Sequence, residues 1–174
     1  FETPYDSFEE IIIKGAALGF ADAPLSEKEP YIIRYAGMID NWAECDCFCS
    51  CIKVKKSEED ALRLLSESLM KQKEEFVSRV GIVLMFSRFS DEPTVKKALD
   101  IYDTLPCGEY YRDMAVAWGI SVYCVKYPEL ITTYLEHSPL SITVKLMAAQ
   151  KIRDSRRVSN ENKHRITQTV NTQR

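Results

Sequence analysis

The chain has 174 residues, of which 45% are hydrophobic and 28% are charged, and its net charge is −3. This composition is typical of one folded domain with a sizeable core, and it excludes a disordered or collagen-like chain. No apolar run approaches the roughly 18 residues that span a bilayer, and residues 1–7 carry no basic leader, so we expect a cytoplasmic protein without a membrane partner.

Apolar residues recur at the helical period along nearly the whole chain, and the 6 glycines and 7 prolines lie mostly between the apolar segments. This pattern favours an all-α fold over a sandwich of short strands. Short loops predict that neighbouring helices are antiparallel. The predicted helices run approximately over 7–20, 26–38, 41–52 (with 40 as an alternative start), from 57, 74–89, from 91, 109–126, from 128, 141–155 and from 159.

Several of these helices begin with a capping signal. Ser26 precedes Glu29 at the spacing of a capping box, and Ser57 is the predicted cap of the fourth helix. Pro93 follows Asp91 in the first turn of the sixth helix, where its missing N–H group is not needed.

Three distinctive residues recur at a regular spacing. Trp42, Arg79 and Trp118 fall on the third, fifth and seventh predicted helices, 37 and 39 residues apart. A two-helix unit of about 40 residues is the HEAT-like period. We therefore predict one domain over residues 1–174, a HEAT-like α-solenoid of antiparallel helix pairs in which alternate helices line one concave surface.

The charge is distributed unevenly. From Lys145 onward the chain holds eight Lys or Arg and two acidic residues, a net charge of +6, which leaves −9 for the remainder. Two interpretations stay open, a local site for polyanions and an ordinary solvated helix end. The acidic majority argues against nonspecific coating of nucleic acid.

Four of the six cysteines alternate along the third predicted helix, at positions Cys45, Cys47, Cys49 and Cys51. This spacing differs from the paired C-x2-C pattern of structural zinc sites. On a helix, Cys45 and Cys49 share one face, and Cys47 and Cys51 share another. We interpret them as reduced packing residues, with a metal or redox site as the alternative.

The residues most able to carry chemistry lie on the alternate helices. Asp46 follows Trp42 by four positions, which places a carboxylate and an indole on one helix face. Arg79 precedes a long apolar run, and Trp118 lies on a mostly apolar helix. Each residue alone is typical of a core or surface position. On the predicted solenoid, two aromatics, one acid and one arginine converge in one cleft.

This pattern extends to a resemblance over approximately residues 8–170. The matching blocks are Asn41-Trp42-x-x-x-Asp46, Phe76-Val77-Ser78-Arg79-Val80-Gly81-Ile82, Tyr110-Tyr111-x-x-Met114-Ala115-x-Ala117-Trp118 and Gln150-Lys151-x-x-x-Ser155. Their order and spacing resemble those of the AlkD-type DNA alkylation repair glycosylases. The resemblance implies a curved stack of HEAT-like helix pairs that excises alkylated purines, such as 3-methyladenine and 7-methylguanine, from duplex DNA.

The resemblance also implies a role for individual residues. Asp46 matches the catalytic acid, Trp42 and Trp118 match the aromatics that flank the deoxyribose of the lesion, and Arg79 matches the arginine beside the acid and near the DNA backbone. The implied partner is double-stranded DNA containing alkylated bases. No metal, other cofactor or lysine Schiff base is implied.

Further contacts to DNA are expected from the basic tail, where we predict that Lys151, Arg153 and Arg156 bind phosphates. Two departures from the family pattern accompany the resemblance. We expect the chain to begin after the N-terminal helices of the family, and Leu146-Met147 stands where the family carries an Asn-Lys pair.

Two other classes of function remain open at this point. A catalytically inactive HEAT-like module that binds DNA or protein agrees with the acidic overall charge, whereas Asp46 beside both tryptophans favours the enzyme. A metal or redox protein would use the cysteine run.

Overall fold

The computed structural model describes residues 7–173, and all regular secondary structure in that range is helical. The all-α prediction is confirmed. A short 3₁₀ turn, Lys56–Glu58, precedes the fourth helix. The α-helices are α1 (Phe8–Phe20), α2 (Leu25–Ala36), α3 (Trp42–Cys51), α4 (Glu59–Met70), α5 (Glu75–Arg88), α6 (Glu92–Tyr102), α7 (Tyr110–Cys124), α8 (Pro128–His137), α9 (Ile142–Asp154) and α10 (Asn160–Asn171).

The chain divides into two compact units, and the division falls within α5, between Met85 and Phe86. In the N-terminal unit, α1 packs on α2 and α3, and α2 packs on α4. In the C-terminal unit, α7 packs on α8 and α9, and α10 packs on α8 and α9. Within each unit, helices therefore contact their next-but-one neighbours as well as their direct neighbours, which forms an odd-numbered and an even-numbered layer. Among the described residues, no helix is both long and apolar enough to cross a membrane.

Side-chain caps fix the start of five helices. In each case, a side-chain oxygen accepts a hydrogen bond from the backbone N–H three residues later, at 3.0–3.3 Å. Such a bond satisfies one of the donors left open in the first helical turn. The predicted start at Asp91, with Pro93 in the first turn, is confirmed. The capping residues are Ser7, Asn41, Asp91, Ser141 and Ser159.

The helices α2 and α4 begin differently from the prediction. Ser26 lies inside α2, and the first N–H of that helix, at Leu25, donates to Glu58 Oε1 at 2.7 Å. Ser57 lies inside the 3₁₀ turn rather than at the cap of α4. The prediction for Ser26 was wrong because the group that caps α2 comes from 33 residues along the chain, which no local pattern reveals. The prediction for Ser57 was wrong because a 3₁₀ turn that contains this residue precedes α4.

Replacing Glu58 tests this remote cap. Hydrogen bonds from the backbone N–H groups of Leu25 and Lys55 lower the pKa of the Glu58 carboxyl. A carboxyl with a lowered folded-state pKa stabilises the fold above its unfolded-state pKa, and this stabilisation is lost as the pH falls through the folded-state value. We therefore expect Glu58→Gln to lower the Tm near neutral pH and to leave it close to wild type in acid.

The measurement is thermal unfolding by circular dichroism from about pH 7 to about pH 3, a range that brackets the titration of carboxyl groups. Glu59→Gln is the matched control, because Glu59 is an exposed acid at the start of α4. An equal loss of Tm in both variants would contradict a specific cap at Glu58.

Gly81 allows α5 to lie directly against the end of α4. A Cβ atom at this position would come within 2.4 Å of Met70 N and 2.7 Å of Ser66 O. One turn earlier, Ser78 Oγ donates a hydrogen bond to Met70 O at 2.7 Å. The missing side chain at Gly81 thus lets α5 approach the α4 backbone, and the Ser78 hydrogen bond joins the two helices there.

We expect Gly81→Ala to destabilise the protein by about 1–3 kcal/mol, because the added methyl group overpacks against backbone that cannot move aside. Urea unfolding followed by circular dichroism measures this loss. Gly37→Ala is the control, since a Cβ at that position would have ordinary contacts of 3.5 Å or more. Comparable destabilisation by both substitutions would show that the close approach at Gly81 is not the cause.

Side-chain hydrogen bonds and an ion pair connect the last three helices of the C-terminal unit. Lys145 Nζ donates to Gln173 Oε1 at 2.7 Å, and Gln173 Nε2 donates to Leu135 O at 3.0 Å. Gln173 thus connects the end of α10 to both α8 and α9. Arg165 of α10 also forms an ion pair with Glu129 of α8. Its Nη2 lies 2.6 Å from Glu129 Oε1, and its Nη1 donates to Glu129 Oε2 at 2.7 Å.

Candidate functional site

The predicted site residues fall into two groups, one in each unit. Trp42, Asp46 and Arg79 belong to the N-terminal unit, on α3 and α5. Trp118 lies in the C-terminal unit on α7. That unit also carries the predicted phosphate ligands Lys151, Arg153 and Arg156, on α9 and just after it.

An ion pair joins α3 to α5 in the N-terminal unit. Arg79 Nη2 donates to both carboxylate oxygens of Asp46, at 2.9 and 3.1 Å. The Arg79 side chain is 5% exposed, whereas the Asp46 side chain is 24% exposed. The guanidinium is therefore inside the protein, and the carboxylate it holds is partly open to solvent.

The local sequence explains why Trp42 and Asp46 lie together. Asn41 caps α3, and its Oδ1 accepts the N–H of Glu44 at 3.0 Å, so the helix begins at Trp42. Asp46 follows one turn later on the same face. Trp42 is 56% exposed, so its indole is accessible on the helix face that also carries Asp46.

The adjoining face of α3 is fixed by packing, partly against α5. Cys45 and Cys49 are almost fully buried, and Cys49 Sγ contacts Val80 O of α5 at 3.7 Å, a weak sulfur hydrogen bond. Burial is the main reason that the pKa of Cys49 is raised, and the neighbouring Cys45 raises it further. Cys49 is therefore a neutral packing residue, as the sequence predicts, whereas Cys47 is exposed and Cys51 half-buried.

Within residues 7–173, no group of three or more His, Cys, Asp or Glu side chains is arranged to hold a metal ion. All six thiols are free. The alternating cysteines therefore offer packing on one face of α3 and isolated thiols on the other.

Glu44 is a buried acid that was not predicted from the sequence. This residue is 2% exposed, and its buried Oε2 atom has no hydrogen-bond partner. Its position in the first turn of α3 is one where the helix dipole favours a negative charge. The burial of this carboxylate depends on the packing around α3, which the residue pattern does not report.

The basic tail contains fewer available cations than its sequence suggests. Lys145 is 5% exposed and bonds to Gln173, and Arg165 pairs with Glu129. Arg174 lies outside the described residues. The positive charge that remains accessible near the end of α9 comes from Lys151, Arg153, Arg156 and Arg157.

Three of these cations meet a tryptophan at one surface opening. Lys151, Arg156 and Arg157 line an opening of about 320 Å³ together with Trp118. Ser121, Val122, Asp154 and Ser155 complete its lining. Arg153 does not line it, because its guanidinium donates to Gln150 Oε1 on the neighbouring surface of α9. We call this feature the Trp118 opening.

The indole of Trp118 contacts a second aromatic ring, and a separate hydrogen bond reaches the backbone of the same residue. Phe86 packs against the indole, with ring centroids 4.7 Å apart and ring planes at 59°. Ser121 Oγ donates to the backbone oxygen of Trp118 at 2.7 Å. Arg157 was not predicted as a site residue, although it lies beside Arg156 directly after α9.

Comparison with known proteins gives no matching family model, no similar curated protein and no similar solved structure. The AlkD-type resemblance and the residue roles it implies therefore stay predictions.

A double-mutant cycle measures the strength of the Asp46–Arg79 pair. We expect Asp46→Asn and Arg79→Gln to be coupled by about 1–3 kcal/mol, because each substitution leaves a partly buried group without its charged partner. The coupling is obtained from urea unfolding of the two single variants and the double variant.

The exposed pair Glu92–Lys96 of α6 serves as the control, since both side chains are more than half exposed. For that pair, Glu92→Gln and Lys96→Gln should be coupled by less than about 0.5 kcal/mol. A coupling at Asp46–Arg79 no larger than this would mean that the pair does not hold α3 to α5.

Proposed function

We propose that the chain is a monofunctional DNA glycosylase of the AlkD type, which hydrolyses the N-glycosidic bond of alkylated purines in duplex DNA. The observation that carries this proposal is the partly exposed Asp46 carboxylate, which the buried Arg79 holds and which shares a helix face with the exposed Trp42. The sequence resemblance supplies the substrate class.

The reaction requires few protein groups. Alkylation at a ring nitrogen makes the purine cationic, so the base leaves as a neutral molecule and takes the electron pair of the C1′–N bond. Positive charge develops on the sugar, and water then forms the new bond at C1′ and loses a proton. A carboxylate fixed near C1′ stabilises the sugar cation and can position the water, as in glycoside hydrolysis.

Arg79 acts in this scheme as a positioning residue. Its burial leaves little guanidinium surface for a phosphate, and its bonds to both Asp46 oxygens fix the orientation of the carboxylate. A charge fixed before the reaction needs no reorganisation when the sugar cation forms. Trp42 can contact the cationic nucleotide through the face of its indole.

The packing within each unit supports a HEAT-like arrangement. The contacts of α1 with α3 and of α7 with α9 place odd-numbered helices side by side, and those of α2 with α4 and of α8 with α10 do the same for the even-numbered helices. Stacked helix pairs of a solenoid have this alternation. Within each unit, the predicted site residues lie on or directly after odd-numbered helices, α3 and α5 in the N-terminal unit and α7 and α9 in the C-terminal unit.

Release of 7-methylguanine from methylated duplex DNA tests the proposed activity. We expect Asp46→Asn to reduce the release rate on the order of 100-fold or more, the usual loss when one well-placed electrostatic stabiliser is removed. Asp40→Asn is the matched control, because Asp40 is an exposed acid just before α3. It should release base at the wild-type rate.

The Tm of each variant is measured alongside the release rate. Unchanged release by Asp46→Asn would remove Asp46 from the mechanism. Loss of release that is accompanied by unfolding at the assay temperature would assign Asp46 a structural role.

A second candidate is a non-catalytic module that binds DNA. The Trp118 opening favours it, since three cations and an indole can bind a nucleic acid without any contribution from Asp46. Under this function, methylated DNA would bind without base release, and Asp46→Asn would leave the affinity unchanged.

A further inference from the structure

We propose that an opening between α6 and α8 binds a small organic cation, an amine that carries an aromatic or aliphatic body. The opening has a volume of about 290 Å³, and none of the residues predicted for base excision or DNA binding lines it. The inference therefore goes beyond the proposed function and does not rest on it. We call this feature the α6–α8 opening. Its lining includes Leu99, Asp100 and Asp103 from α6 and the residue after it, and Leu130, Tyr134 and Pro139 from α8 and the turn after it.

One part of the lining is apolar. Leu99 is buried, Leu130 is half-buried and Pro139 is exposed, and Tyr134 adds an aromatic ring. The volume lies near the lower end of the range of about 300–1,000 Å³ for small-molecule sites, which are mostly apolar with a few polar groups. Burying a hydrocarbon body against these side chains is favourable because apolar surface is removed from water. The opening is therefore suited to a small ligand with an apolar part.

The polar part of the lining is acidic. Asp100 is exposed and forms no ion pair in the described part of the chain, and Asp103 is half-buried. Asp103 Oδ1 accepts a hydrogen bond from Tyr134 Oη at 2.7 Å. A neutral hydroxyl leaves the negative charge of the carboxylate uncompensated. An ammonium group beside these two acids would gain charge-assisted hydrogen bonds.

The two basic side chains of the lining do not cancel this charge, because each lies beside a carboxylate outside the opening. Lys96 Nζ pairs with Glu92 at 2.7 Å, and His137 Nε2 lies 3.7 Å from Glu136 Oε2. Lys96 and His137 are also more than half exposed. Two carboxylates of the lining therefore remain for a ligand cation.

The partial burial of Asp103 makes a cation more favourable at this position. Burial raises the pKa of the Asp103 carboxyl, and the charge of Asp100 also raises it, whereas the bond from Tyr134 and the charge of Lys145 lower it. Lys145 donates to Gln173 and forms no ion pair with Asp103. A carboxylate that has lost water and lies near a second negative charge is stabilised when a cation approaches.

Tyr134 connects the apolar and the acidic parts of the opening. Its hydrogen bond to Asp103 restrains the ring before a ligand binds. Pre-organisation of this kind reduces the entropy that is lost on binding. The face of an aromatic ring also attracts a cation.

An NMR titration of the full chain with phenethylamine tests the site, because shifts of backbone amide signals report both the affinity and the location of binding. The amine is protonated at neutral pH, as a lysine side chain is. We expect saturable shifts in α6 and α8. Phenethyl alcohol lacks the charge and methylamine lacks the aromatic body, so each should bind at least about tenfold more weakly.

Asp100→Asn and Asp103→Asn should each weaken phenethylamine binding by about tenfold, because each removes a negative charge and keeps the size of the side chain. Asn at position 103 still offers an oxygen to the Tyr134 hydroxyl. Glu161→Gln is the matched control, since Glu161 is an exposed acid of α10 outside the opening. It should leave the affinity nearly unchanged. Thr133→Trp, at an exposed position of the lining, should fill the opening and abolish binding.

The amide spectrum of each variant establishes that it is folded, and the exposed Asp100 decides the test if Asp103→Asn is unfolded. Four results would overturn the inference. They are the absence of saturable shifts in α6 and α8, equal affinity for phenethylamine and either of the two comparison ligands, equal losses in Asp100→Asn and Glu161→Gln, and unchanged binding by folded Thr133→Trp. Release of 7-methylguanine is measured separately and is unaffected by any of these results.

Discussion

In the N-terminal unit, the close approach of α5 to the end of α4 fixes the position of Arg79 and therefore of its ion pair with Asp46. Gly81 permits the backbone contact, and Ser78 adds a hydrogen bond to the last residue of α4. Arg79 lies between these two positions on α5, so its side chain emerges from a segment that is fixed on both sides. From there it reaches Asp46 on α3. A displaced α5 would separate the guanidinium from the carboxylate that it orients.

The resulting ion pair is asymmetric, and this asymmetry is chemically useful. Burying an arginine is costly unless its charge is paired, which makes the Asp46 carboxylate necessary to the fold around Arg79. The carboxylate in turn keeps part of its surface exposed to solvent. Asp46 thus neutralises a buried charge and also presents part of its carboxylate to solvent. In a reaction that generates a sugar cation, the carboxylate would be oriented before the substrate arrives.

The start of a helix could be predicted from the sequence where the capping hydrogen bond is local. The caps at Asn41 and Asp91 bond to backbone three residues away, and the helices they start were placed to within a residue or two. Ser26 was misassigned because Glu58 caps α2 across 33 residues. A local pattern contains no information about a partner that distant.

The same difference between local and long-range interactions applies to the candidate site. The four-residue spacing of Trp42 and Asp46 predicts that these side chains share a helix face, whereas Arg79 was singled out by the recurrence of about 40 residues along the chain. The burial of Arg79 could not be predicted in this way. It depends on the packing of α5 against two other helices. Arg157 was missed for a related reason, since its importance comes from an opening formed jointly by α7 and α9.

The position of Gln173 has a consequence for how the C-terminal unit opens. The last turn of a helix normally frays by itself, because its terminal carbonyl groups lack partners. Here the end of α10 is joined to α8 through Leu135 O and to α9 through Lys145, and Arg165 adds a second link to α8. Fraying of α10 therefore requires these side-chain bonds to break together. The last three helices should open as one cooperative unit, in the manner of a segment that exchanges its protected amides at a common free energy.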